Sequence, residues 1–474
     1  MSVILDRLIK NGTIVTASEV YQANIYIHQG KIAAISQGEP GVPVREETDA
    51  AGKLILPGFI DTHVHSRDGK NGAHYKEDFS HSSMSGAVSG ITTIYEMPNS
   101  NPAVYNVENL NSLIACIGPK AYTDFGVWGL CLGDLNIRDL QPLAEAGVVG
   151  FKFFWGYAID AKTYQLIYNY KKGQKNVIPP LDMGQIYEMF QTVAATGKQV
   201  ALHAEEFNII RRLTEKIQSR GDKSYAAMLE SRPVFSETIV IEEAIRLAKE
   251  LGTHVHILHL AAGDGVELIR GAQEKGIPVT AETCPHYLAL TDQDAEKLGS
   301  LIKGYPPVRT RADQEQLWEG LRAGTLSLVC SDHAPHSLEE KQKDLWEAPA
   351  GMATIETMPM IMLDAVNRGK ITIQDLVRVM SEEPARLYGT YPQKGCVHVG
   401  ADADLVLVDL DEEYTFHQEQ MHSRTKLSPY DGWSFQGRVK ETILRGRTIA
   451  RNGEIVGAPG GQFVKARSHM ENGG

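Results

Sequence analysis

The sequence predicts an α/β chain: a (β/α)₈ barrel of the TIM type with a small β-sandwich domain made from the two chain ends. Three observations predict it. Apolar, strand-like runs alternate with helix-like stretches through the middle of the chain. Polar side chains suited to metal chemistry fall at the C-terminal ends of those runs. Short alternating strands and turns occupy both ends. Alternation of this kind, with both sheet faces covered, belongs to parallel α/β folds, and about eight units close a barrel. A doubly wound open sheet is the alternative architecture.

The first segment, 1–54, reads as short strands. Leu8–Val15 carries Asn11-Gly12 as a turn between apolar runs, and Ala23–His28 followed by Gly30–Ile35 reads as a hairpin. The barrel is expected over 55–392. Its strand-like runs are Ile55–Ile60, Gly90–Glu96, Phe125–Cys131, Val148–Phe154, Lys198–Leu202, His254–Leu260, Ile277–Thr283 and Thr325–Ser331. Between them lie amphipathic stretches such as Glu237–Leu251 and Gln314–Arg322. Segment 393–466 returns to the style of the first. Ala403–Asp409 alternates, and Arg438–Gly446 leads into a hairpin over Ile449–Val456, so the two ends are expected to pair. Residues 467–474 read as a disordered tail. The insert from Thr163 to Pro180 reads as a solvated loop, with a lid as the alternative. No Gly-x-Gly-x-x-Gly follows the first run, and Gly263-Asp264-Gly265 reads as a turn, so dinucleotide binding is disfavoured.

Composition narrows the function classes. A chain of 474 residues with 42% hydrophobic residues is globular and too long for one small core. No run approaches the roughly 18 apolar residues of a membrane span, and Met1–Arg7 lacks the layout of a secretory signal. A formal net charge of −12 argues against nucleic acid and anionic membranes as partners, but not against a small anionic substrate in a locally basic pocket. Five scattered cysteines without a C-x-x-C pair fit free thiols in the cytoplasm.

The chemistry lies at the run ends. The first run leads into His63-Val64-His65, and residues i and i+2 of a strand share a face, so two imidazoles face one point. Lys152 sits inside the fourth run between Phe151 and Phe153. The fifth ends in His203, the sixth in His259, and the eighth in Asp332. Active sites of such barrels sit at this end. Any one of these residues could be an ordinary core or capping group; their shared placement points to a metal site. Lys152 is the odd member, because an ammonium cannot bind metal and is costly to bury unpaired. Addition of CO₂ to the neutral amine would give a carbamate that can bridge two cations. The alternative is a lysine that snorkels to solvent or pairs with an acid such as Glu205.

These residues resemble a known group. Pro57–His65, Gly90–Asn99, Gly150-Phe151-Lys152, Leu202–Glu205, His256–His259, Glu282–Tyr287, Pro306–Arg309, Ser331–His333, Gly400–Val406 and Lys426–Tyr430 are similar, in order, to the cyclic amidohydrolases of the dihydroorotase, hydantoinase/dihydropyrimidinase and allantoinase group. The resemblance implies two Zn²⁺ per chain. His63, His65 and Asp332 would hold one and His203 and His259 the other, with carbamylated Lys152 and a hydroxide between them. It implies hydrolysis of a C–N bond in a small cyclic amide or ureide, with Asp332 moving the proton. It also implies a homo-oligomer, a dimer or tetramer.

Signals for the ring diverge. Arg67, Asn99 and His336 match the dihydroorotase pattern, where such residues hold a substrate carboxylate, although Arg67 could instead pair with Asp68 or Glu77 and shape a loop. Tyr157 matches the hydantoinase spacing, where its hydroxyl steadies the oxyanion, and Gly304-Tyr305-Pro306 departs from the Asn-Pro-Pro of dihydroorotases. Allantoinase remains a further alternative. A non-catalytic scaffold relative would show gaps in the ligand set, and this sequence has none.

Overall fold

A computed structural model describes residues 4–38, 41–162, 166–167, 170 and 173–468. Eight parallel strands form the barrel: β1 (Phe59–Val64), β2 (Ile91–Glu96), β3 (Asp124–Val127, resuming as Gly129–Leu130), β4 (Phe151–Phe154), β5 (Val200–His203), β6 (Val255–Ile257), β7 (Val279–Thr283) and β8 (Leu328–Val329). Each pairs in parallel with the next from β1 to β8. Beyond β8 the barrel closes through a bridge between Val64 and His333, with the His65 amide donating to the His333 carbonyl at 2.8 Å.

The first apolar run is split between two domains. Leu54–Pro57 pairs with the C-terminal strand Leu405–Thr415 and with Thr13–Val15, so it belongs to the sandwich; the chain enters the barrel only at Phe59. Gly58 marks the break, because a Cβ there would lie 2.1 Å from Thr92 Oγ1. Both halves are apolar because both are buried, and periodicity cannot tell which sheet takes them.

The sandwich confirms the pairing of the two ends. One sheet holds Leu5–Lys10, Asn24–His28, Lys31–Ser36 and Val44–Asp49; the other runs from Glu454–Ile455 through Leu405–Thr415 and Leu54–Pro57 to Val20–Gln22. Ile9, Ile25, Ile27, Ile55, Leu405 and Ile443 interdigitate between them. Ala23–His28 and Gly30–Ile35 do form a hairpin. Asn11-Gly12 instead carries the chain from one sheet to the other, with Asn11 at φ 63°.

Helices cover the barrel where capping chemistry starts them. Met183–Thr196 opens on a reciprocal cap between Asp182 and Gln185 and stops at Gly197, φ 68°. Arg311–Arg322 opens on Thr310 and Asp313, three residues before the predicted start. Val234–Leu251 follows Pro233. Gly263-Asp264-Gly265 begins the helix Gly263–Gln273 rather than forming a free turn. Within the insert, Leu166–Ile167 and Val177–Ile178 pair with Ala158–Asp160 as a small three-stranded sheet, which corrects the loop reading for those residues; 163–165, 168–169 and 171–172 lie outside the described residues. At the C-terminal end, the Arg467 carbonyl accepts from Lys198 at 2.8 Å, and the expected tail beyond 468 lies outside the described residues. No described helix is long and apolar enough to cross a membrane.

Candidate metal centre

β1 delivers His63 and His65 to the C-terminal mouth of the barrel, and the turn after β8 delivers Asp332. The Asp332 Oδ1 atom lies 3.4 Å from His63 Nε2 and 3.5 Å from His65 Nε2. Each imidazole is aimed by a bond on its far side. His63 Nδ1–H donates to Glu282 Oε1 at 2.7 Å, and His65 Nδ1–H donates to Asn99 Oδ1 at 2.9 Å. With Nδ1 protonated, the Nε2 lone pairs face Asp332. Orientation of a ligating histidine by an acceptor on its other nitrogen is a regular feature of metal sites. His63 Nε2 is buried and has no hydrogen-bond partner among the described residues; such a group is costly unless something else binds it.

The second group faces the first. His203 ends β5, and His259 follows β6. His203 Nε2–H donates to Glu205 Oε2 at 2.9 Å, which leaves the Nδ1 lone pair directed at His259 Nε2, 3.1 Å away. Two imidazole acceptors at that separation are suited to a shared cation.

Lys152 lies on β4 between these groups, 1% exposed, with its Nζ 4.6 Å from the centre of the Phe154 ring. Glu205 does not pair with it, being taken by Arg232 at 2.5 Å and by His203. Burial brings the Lys152 amine down to about 8, against the pull of Asp332 and Glu282 in the other direction. The neutral form that reacts with CO₂ is therefore accessible near neutral pH.

Electrostatics favour the ligand states. Burial lowers His65 to about 3 and His259 well below the usual imidazole range, so both rings are neutral at pH 7. Burial opposes the charge on Asp332, but His63 and its neighbours hold the carboxyl well below its ordinary range. Glu282 behaves likewise, held down by His256 and His63. Arg67, His259 and Asp332 all occupy the left-handed region, at φ 58°, 36° and 46°; conformations of this kind cost about 1 kcal/mol or more and cluster at functional sites.

Other acidic groupings already have partners. Asp124, Asp402 and Asp404 surround the Lys394 ammonium at 2.5, 2.9 and 2.6 Å. Cys330 lies near His63 and Glu282, but burial pushes its thiol well up, which keeps it protonated. The donor set of His63, His65, Lys152, His203, His259 and Asp332 fits a pair of divalent ions once Lys152 carries a carboxylate.

The cavity over this centre is lined by Arg67, Phe154, Tyr157 and Tyr305, with Ala350 and Gly351 at its rim. The Tyr157 hydroxyl lies 3.4 Å from His203 Nε2. Of the three residues expected to hold a substrate carboxylate, only Arg67 lines the cavity. Its Nε is buried without a partner among the described residues. Asn99 is engaged by His65, and His336 sits behind Arg67 Nη2 at 3.4 Å, with Lys76 Nζ and the Ala350 carbonyl on its two nitrogens. Sequence reading missed Glu282, Glu205 and Arg232 as supports. Two of them stand in motifs already singled out, Glu282-Thr-Cys-Pro-His and His203-Ala-Glu205, but only in the second does the carboxylate stand beside a candidate ligand histidine in the chain; Glu282 meets His63 only in the fold.

The chain is similar to known proteins along almost its whole length. The amidohydrolase family profile matches residues 54–449. An L-hydantoinase of Paenarthrobacter aurescens is 36% identical over 471 residues, covering 98% of this chain and 99% of that protein. An allantoinase of Deinococcus radiodurans is 35% identical over 470 residues, with 98% and 99% coverage. Among solved structures, the L-hydantoinase (dihydropyrimidinase) from Arthrobacter aurescens superposes with a TM-score of 0.91 at 36% identity, covering 98% of this chain and all of the other.

Proposed function

The chain belongs to the amidohydrolase family, and on that premise we propose that it is a metal-dependent hydrolase that opens a cyclic ureide of the hydantoin or allantoin type. One observation carries the reading: two imidazole pairs, three of the four rings oriented by an acceptor, converge with Asp332 and a buried lysine at the mouth of one barrel.

We assign His63, His65 and Asp332 to one Zn²⁺ and His203 and His259 to the other, with Lys152 between them as its carbamate. Divalent ions at this place would supply a nucleophile at neutral pH and polarise the scissile carbonyl. The remaining work falls to side chains. Asp332, ionised at neutral pH, accepts the proton of the attacking water and returns it to the ring nitrogen as the C–N bond breaks. The Tyr157 hydroxyl donates to the developing oxyanion. Hydroxyl ends on the carbonyl carbon and hydrogen on the nitrogen, giving a carbamoyl or ureido acid. Glu282, Asn99 and Glu205 hold three imidazoles in the required tautomers. The three aromatic rings lining the cavity suit a planar ring, and the names of the relatives support a ureide.

Arg67 favours a second reading of the substrate. A guanidinium in the cavity whose buried Nε has no partner among the described residues suits a ring bearing a carboxylate, as in dihydroorotate. A cytoplasmic setting accords with five free thiols, and a dimer or tetramer with the family resemblance. The test is turnover of hydantoin, 5-substituted hydantoins, allantoin, dihydrouracil and dihydroorotate by the zinc-loaded protein, with Arg67→Met in parallel. Opening of hydantoins or allantoin is expected. Turnover confined to dihydroorotate and abolished by Arg67→Met would establish the carboxylate reading instead.

A further inference from the structure

Arg232 lies outside the ligand set, yet it touches both the metal side and the substrate side of the site. It is the residue after the short helix Tyr225–Ser231, and it is 6% exposed. Its Nη1 donates to Glu205 Oε2 at 2.5 Å, the same oxygen that accepts from His203 Nε2 at 2.9 Å. The guanidinium carbon lies 3.4 Å from the centre of the Tyr305 ring, which lines the cavity. One planar cation is therefore held edge-on by a carboxylate and packed face-on against an aromatic wall.

The backbone of Arg232 is fixed too. Its carbonyl accepts from Arg309 Nη1 at 3.0 Å, while Arg309 Nη2 donates to Glu237 Oε2 at 3.0 Å. Glu237 Oε1 in turn accepts from the Ala261 amide, two residues after His259, at 2.9 Å. Both histidines of the second pair thus trace back to Arg232, His203 through Glu205 and His259 through Arg309 and Glu237.

We propose that Arg232 is a positioning residue that couples the two sides of the site: it holds Glu205 where that carboxylate fixes His203, and it holds Tyr305 as the wall against which the planar ring of the substrate binds. The proposal rests on the assignment of His203 to a metal. Arginine is needed for both tasks, because only a planar fork can accept a carboxylate at its edge and a ring on its face. Lysine could still neutralise Glu205 but offers no face to Tyr305.

That difference sets the experiment. Metal affinity is measured by chelator competition and KM and kcat by steady-state turnover, for wild type, Arg232→Met, Arg232→Lys and Tyr305→Leu. Loss of a group that orients a metal ligand typically weakens metal binding about 10–100-fold, and that is expected for Arg232→Met. Arg232→Lys is expected to recover metal affinity to within about threefold while KM stays raised about thirtyfold, the scale of a desolvated cation–π contact. Tyr305→Leu is expected to raise KM alone. Wild-type metal affinity and KM in both Arg232 variants would overturn the proposal. So would parallel loss of both with a fall in melting temperature that Arg232→Lys shares in full. If Arg232→Met does not fold, the split between Arg232→Lys and Tyr305→Leu decides. Nitrogen-15 NMR of the metal-free protein separates this inference from the metal assignment: the proton on His203 Nε2 should be present in wild type and lost in Arg232→Met, whether or not wild type takes up metal. An unchanged His203 tautomer in that variant would refute the coupling.

Discussion

Replacing Glu282 with glutamine tests whether the carboxylates behind the ligands build the site. Glu282 is fully buried. One oxygen accepts from His63 Nδ1 at 2.7 Å; the other accepts from Thr62 Oγ1 at 3.0 Å and lies 3.3 Å from His256 Nε2. Glutamine keeps the shape but has one acceptor oxygen and one NH₂ group. If the oxygen faces His63, the NH₂ meets the Thr62 hydroxyl and His256; if it faces the other way, His63 Nδ1–H points at a donor and its ring turns. A hydrogen bond to a charged group contributes about 1.5–3 kcal/mol, and an unsatisfied buried partner costs about 1–3 kcal/mol. Glu282→Gln should therefore destabilise the metal-free protein by about 3 kcal/mol in urea unfolding. Its metal affinity should fall about 10–100-fold in chelator competition. Thr62→Val, which removes only the hydroxyl, should cost about 1 kcal/mol and leave metal affinity near wild type. Metal affinity within about twofold of wild type in Glu282→Gln would refute the argument that this carboxylate sets the His63 lone pair.

Lys152→Met should abolish uptake of the second metal ion, yet stabilise the metal-free protein at pH 7. A folded-state value brought from 10.5 to about 8 by burial corresponds to about 3 kcal/mol of penalty on the charged amine. Because the folded value lies below the unfolded one, the wild type should gain stability as pH rises from about 8 to 10.5, and the methionine variant should not; parallel pH profiles from chemical unfolding would contradict this. Tyr157→Phe should lower kcat about 10²–10³-fold with little change in KM, the usual loss for one oxyanion donor, and a KM effect alone would move Tyr157 to substrate binding. Lys394→Met should destabilise the junction of barrel and sandwich by about 3–5 kcal/mol, because it strips the buried Asp404 of its cation and leaves Asp124 only Arg445 and Asp402 only Lys31; thermal unfolding at the wild-type temperature would show that the cluster tolerates its own charge.

Legibility differed between strands and their partners. The eight strands could be read because a parallel barrel strand is buried on both faces and therefore apolar along its length. His63, His65, Lys152, His203, His259 and Asp332 could be read because they interrupt or end such runs, where polar atoms need a reason to be present. Periodicity failed at Ile55–Ile60, since a run divided at Gly58 between two sheets is as hydrophobic as one that is not. It also failed at Asn11-Gly12, because a turn dipeptide does not say whether the next strand returns to the same sheet.

By itself, the chain's order of residues determined the fold class, the end of the barrel where polar side chains gather and which residues are candidates to hold metal there, because each depends on local pattern and residue type. Tertiary structure alone decided which partners those residues have. Glu282 reaches His63 across 219 positions, and Arg67 meets His336 across 269. Only the closed barrel showed that Asn99 serves His65, that His336 stands behind Arg67, and that Arg232 joins His203 to Tyr305. Hydrogen bonds and stacking act over a few ångströms, and chain separation carries no information about which distant side chains the packing brings that close.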